Sequence, residues 1–169
     1  MGYRIGPAAV FRARAGAEFR VVWGMDAEHR QRFDELLEQV IEGLPEGVHE
    51  LFDEVPLIVD DRPDDALVKR LAVDFEIPDE PGELDRFAAE LCGLHSGRML
   101  TERSVEDPAD LPEDIRIFRE GIVGIAGGWD GPRAEVDESI AEQIRITILH
   151  EVGHHFGLDE DDLEELGYD

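Results

Sequence analysis

The chain has one cysteine, one lysine and two tryptophans, and it has no long apolar run. Each shortage excludes something. A lone Cys92 cannot close an internal disulfide, which suits a reducing compartment, so a cytoplasmic location is expected. No stretch approaches the roughly 18 apolar residues of a membrane span, and no membrane partner is expected. Arg4, Arg12, Arg14 and Arg20 interrupt every apolar stretch near the N-terminus, which therefore lacks a secretory pattern. Basic residues are scarce overall: 16 Lys and Arg stand against 42 Asp and Glu, for a net charge of −26. Such a surface repels phosphate backbones, which sets nucleic acid aside as a partner. The acids are spread along the chain and read as a solubilising surface, in preference to a device that steers basic peptides.

What is present suffices for one domain. At 169 residues and 42% hydrophobic content the chain can bury a proper core. Residues 1–25 stand apart, with four Arg and one acid, Glu18. They read as a basic N-terminal arm whose composition allows disorder, or as sequence upstream of a true start at Met25. The body is expected to be residues 26–169.

Asp26 can cap a helix on which Phe33, Leu36, Leu37, Val40, Ile41 and Leu44 recur at helical spacing. Pro45 ends it and opens a shorter helix through Val48, Leu51 and Phe52. Val55 to Val59 reads as a buried strand, Ala66 to Val73 as a short helix, and Glu83 to Leu94 as a helix that turns Cys92 toward packing. Ile115 to Arg119 alternates mostly apolar with basic and reads as a strand. Gly121 to Gly131, with five glycines and Trp129, reads as a flexible lip. Asp137 can cap a long helix to about Phe156, and Glu160 to Leu166 forms a short acidic helix. The class is α+β: a small sheet of about three to four strands with helices on one side.

The last long helix carries His150-Glu151-Val152-Gly153-His154-His155-Phe156-Gly157-Leu158-Asp159-Glu160. Residues four apart on a helix share a face, so His150 and His154 can grip one zinc ion. Glu151, about 100° around the helix, can flank the ion as a general base toward water. Ile140, Ile144, Ile148 and Val152 form an apolar row facing away from the two histidines. His155 points away from the ion as a packing or supporting residue. His29, His49 and His95 lie in unrelated segments and read as surface histidines. Gly157 lets the helix stop and fold back, which brings Asp159, Glu160 and Asp161 within range as third-ligand candidates. Three residues beyond Gly157 is the shortest return. That selects Glu160 over Asp159, with Asp161 open if the last helix starts a residue later.

The run H-E-V-G-H-H-F-G-L-D-E-D resembles the motif of the small bacterial zincin-like metallopeptidases, compact relatives of the metzincins. The last position of their longer pattern falls on Glu160. Arg98 to Ser104 and Ile115 to Arg119 are similar to segments of the same group, and the resemblance runs from about Ala27 to the C-terminus. It implies a minimal zincin-like fold with the motif helix near the C-terminus. It further implies a Zn2+ cofactor on His150, His154 and Glu160, and an edge strand that pairs with an extended substrate, a place to which residues 115–119 are assigned unless they form a central strand. The expected function is hydrolysis of a peptide or unfolded-protein substrate with Glu151 as base. The alternative is a zinc-binding regulatory or interaction module with little or no hydrolysis.

Overall fold

A computed structural model describes residues 9–12, 19–22, 24–78, 80–97 and 113–168. The Arg98 to Ser104 segment lies outside the described residues. In chain order the elements are β1 (Ala9–Arg12), α1 (Ala27–Glu42), α2 (Glu46–Glu54), β2 (Leu57–Asp60), α3 (Asp65–Asp74) and α4 (Glu83–Glu90). They continue with β3 (Leu91–Ser96), β4 (Asp114–Phe118), α5 (Arg119–Ile125), α6 (Arg133–His155) and α7 (Glu160–Leu166). The class is α+β, as expected.

The strands form one mixed sheet in the order β1-β3-β4-β2. β4 runs parallel to β2 and antiparallel to β3, and β1 is antiparallel to β3 on the outer side. Residues 115–119 therefore do not supply a free rim. Ile115 and Ile117 are fully buried and β4 is flanked on both sides, so the central-strand alternative holds.

Helices cover both faces of the sheet, where one was expected. Side chains alternate across β4, so Ile115 and Ile117 join α1 and α6 in the larger core. Phe118 joins Leu67, Val68, Leu71, Phe87, Leu91 and Leu94 in a second core under α3 and α4. On α6 the row Ile140, Ile144 and Ile148 is fully buried. Each contributes roughly 1.5–3 kcal/mol relative to leaving it exposed, which ties α6 to α1 and the sheet.

The start of α1 follows the sequence: the Asp26 side chain accepts from His29 N–H at 2.8 Å. α2 begins after Pro45 as expected. Other expectations fail for identifiable reasons. The helix expected over 83–94 ends at Glu90, and Leu91 begins β3. Leu91 and Leu94 fit the helical period from Phe87, but pairing with β4 decides their conformation. Cys92 is buried in that strand. The lip expected over 121–131 is partly helix α5. Its glycines serve close packing: a Cβ on Gly121 would overlap the Leu91 carbonyl, and one on Gly124 would lie 2.5 Å from the Phe19 ring. α6 begins four residues before Asp137, after Pro132. Asp137 is engaged instead by Arg32, whose Nε donates to it at 2.6 Å.

Within the stretch expected as an arm, Ala9 to Arg12 pair with β3, in the register Ala9 with His95 and Phe11 with Gly93. Arg20 N–H donates to the Gly124 carbonyl at 3.0 Å, a second tie to the body.

Candidate functional site

The site lies at the C-terminal end of α6. His150 and His154 are both buried, and their Nε2 atoms stand 2.8 Å apart. The turn after α6 fixes one of them. Gly157 takes φ 86°, where L side chains are strained. Leu158 N–H then donates to Gly153 O and Gly157 N–H to His154 O, both at 3.0 Å. These paired bonds close the helix end in a Schellman motif. They also present the Leu158 carbonyl to His154 Nδ1 at 3.1 Å. His150 Nδ1 is held by the Tyr168 carbonyl at 2.6 Å, just beyond α7.

Glu160 arrives because α7 is docked from two sides. Asp159 caps α7 by accepting from Asp162 N–H, and Leu163 is fully buried against Gly153. Glu160 Oε1 then lies 3.2 Å from His154 Nε2 and 3.7 Å from His150 Nε2. The Asp159 carboxylate faces the α7 backbone. Sequence-predicted His150, His154 and Glu160 are thus brought together, each offering one donor atom within 4.8 Å of the others.

The chemistry of this donor set fits a metal ion. A carbonyl oxygen only accepts, so both Nδ1 atoms carry protons, and a neutral imidazole so held presents a lone pair at Nε2. Two such lone pairs converge with a carboxylate oxygen, an arrangement of acceptors that a cation satisfies. Two imidazoles and a carboxylate are a donor set that suits zinc.

A family model for zincin-like metallopeptidases matches residues 52–168. The chain belongs to that family. No curated protein matches it. None of the described helices is long and apolar enough to cross a membrane.

In this zincin-like chain Glu151 lies on the helix face turned to β3 and has no exposed surface. Its Oε1 accepts from Phe11 N–H at 3.1 Å, while Oε2 is buried with no hydrogen-bond partner among the described residues. Burial pushes its carboxyl well above the usual range, more than the Phe11 N–H lowers it. Gly93 makes room for it: a Cβ there would overlap Glu151 Oε1 and lie 2.9 Å from Thr147 Cγ2.

One turn further along the same face, His155 points away from the His150 and His154 pair, as expected. Its Nδ1 meets Glu113 Oε1 at 2.7 Å, and His95 Nε2 meets the same oxygen at 3.1 Å. His95 is buried, which corrects its reading as a surface histidine. One carboxylate oxygen can accept from both rings, so this cluster is satisfied by protons alone. Sequence reasoning missed Phe11, whose ring lies 4.6 Å from that of His150. The available signal was the short apolar run Ala8-Ala9-Val10-Phe11 before Arg12, which local pattern leaves ambiguous.

Proposed function

We propose that the protein is a zinc-dependent peptidase acting on peptide or unfolded-protein substrates, with Glu151 as general base and His150, His154 and Glu160 as metal ligands. The convergence of two carbonyl-oriented imidazoles and one carboxylate beside a buried Glu151 carries this reading. A bound zinc ion supplies Lewis acidity, which lowers the pKa of water to about 7 and polarises a substrate carbonyl.

The residues of the chain supply the rest. The Leu158 and Tyr168 carbonyls hold both rings in one tautomer and orientation, as supporting hydrogen bonds do in metal sites. Glu151 accepts the proton that water loses as it adds to the carbonyl carbon. It returns that proton to the amine nitrogen as the C–N bond breaks. A purely structural zinc site would recruit a fourth protein ligand. Of the two acids that flank Glu160, Asp159 is committed to the α7 cap, and among the described residues neither Asp159 nor Asp161 joins the His150, His154 and Glu160 group, which favours an open, catalytic site.

Zinc titration followed by metal analysis tests the assignment. One equivalent is expected in the wild type, and His150→Ala or His154→Ala should lose it. Retention of full zinc affinity by both variants would overturn the ligand set.

A further inference from the structure

Strand β1 does more than widen the sheet. It lies on the outer edge of β3, and its Phe11 puts a backbone N–H on the Glu151 carboxylate and a ring on His150. Phe11 is 4% exposed, and Glu151 beneath it is 0% exposed. A general base that must exchange protons with water is sealed from it by a segment from the far end of the chain. The hold is short. β1 has four residues, its register slips between Phe11 and Arg12, and the matched family region starts only at residue 52. Arg12 anchors it through an ion pair with Glu90 and by lying over the Phe87 ring.

An extended segment placed antiparallel on a sheet edge is also how a peptide adds to a sheet. Main-chain hydrogen bonds supply affinity there, and alternate side-chain seats supply choice. Nothing β1 gives Glu151 is peculiar to this chain, because any residue other than proline brings a backbone N–H. The seat beside His150 takes a large apolar side chain.

Resting on the peptidase reading above, we propose that residues 9–12 form a releasable strap that occupies the place of substrate. While it is seated the site is latent. Once it leaves, the β3 edge takes an extended peptide with a bulky apolar residue in the position of Phe11. Short edge elements of this kind open by local fluctuation without global unfolding.

The test uses the full chain. In Phe11→Pro no N–H remains for Glu151, and the fixed proline backbone disfavours the strand. In Arg12→Glu the Glu90 anchor becomes repulsive, while Phe11 is untouched. The probe is a labelled peptide with the sequence of residues 7–14, titrated into metal-free protein. Both variants should bind it about tenfold or more tightly than wild type, because the competent fraction has risen. With zinc loaded, cleavage of a denatured protein should rise by a similar factor, and unlabelled peptide should suppress the gain.

If the variants, folded by circular dichroism, bind the peptide no better than wild type, the strap is wrong whatever the cleavage assay shows. If they bind it better and hold zinc but cleave nothing, the strap stands and the peptidase reading falls. Hydrogen exchange on the wild type needs no variant. The Phe11 amide should exchange well before those of β4, and exchange together with β4 would make β1 a permanent part of the sheet and overturn the strap.

Discussion

Asp159 and Asp162 cap each other: the Asp159 carboxylate accepts from Asp162 N–H at 3.0 Å, and the Asp162 carboxylate accepts from Asp159 N–H at 3.2 Å. This capping box sets the first turn of α7 and turns the Asp159 carboxylate to the backbone, leaving Glu160 to face the histidines. Asp159→Ala should cost roughly 1 kcal/mol of stability through the lost cap, while zinc affinity stays near that of wild type because Leu163 still docks α7 against Gly153. Glu160→Ala should lower zinc affinity by about 10–100-fold or more, the lower bound set by losses one shell further out. Asp161→Ala should change neither. Zinc titration and thermal melts of the three variants check this set.

The parts of the site that proved legible are those written locally. His150, Glu151 and His154 are related by helix geometry alone, and the Gly157 turn and the Asp159–Glu160 start of α7 follow within a few residues. The parts that were not legible depend on distant partners. β3 continues an apolar helical pattern and becomes a strand because β4 pairs with it. Gly121 and Gly124 suggest flexibility until α5 is seen pressed on Leu91 and Phe19. β1 reaches Glu151 from 140 residues away, a contact no local pattern encodes. Asp137 looked like a cap but is drawn to Arg32 on α1.

Gly153→Ala separates α7 docking from ligand identity. A Cβ there would overlap Leu163 Cδ2, so the buried Leu163 side chain must give way, which is expected to displace α7 and Glu160 with it. Overpacking costs about 1–3 kcal/mol, offset in part by roughly 1 kcal/mol of helix propensity. A small net loss of stability is expected, together with a clear loss of zinc affinity although no ligand is changed. Calorimetric melts and zinc titration in parallel would show it, and unchanged zinc affinity would mean that α7 docking does not place Glu160.

Glu120 provides a pH test away from the site. It is buried, and burial raises its carboxyl, although Gly24 N–H donates to it at 3.1 Å. With the folded value above the unfolded one, the folded state binds more protons, and stability falls as pH rises through that window. Glu120→Gln keeps an acceptor for Gly24 and removes the buried charge. It should melt higher than wild type at neutral pH, and the difference should vanish as pH falls below the usual carboxylate range. Melts at several pH values decide it, and a Glu120→Gln protein less stable at neutral pH would reject the prediction.

The direct measurement is the cleavage rate of a denatured protein by zinc-loaded Arg12→Glu chain, with and without Glu151→Gln. The Arg12→Glu background leaves His150, His154, Glu160 and Phe11 as they are. Glutamine fills the same space as Glu151 and cannot take the proton, so cleavage should fall at least about 100-fold while bound zinc remains at one equivalent. Equal rates from the two proteins, or no cleavage by either with zinc fully loaded, would contradict the assignment of Glu151 as the base of a zinc peptidase.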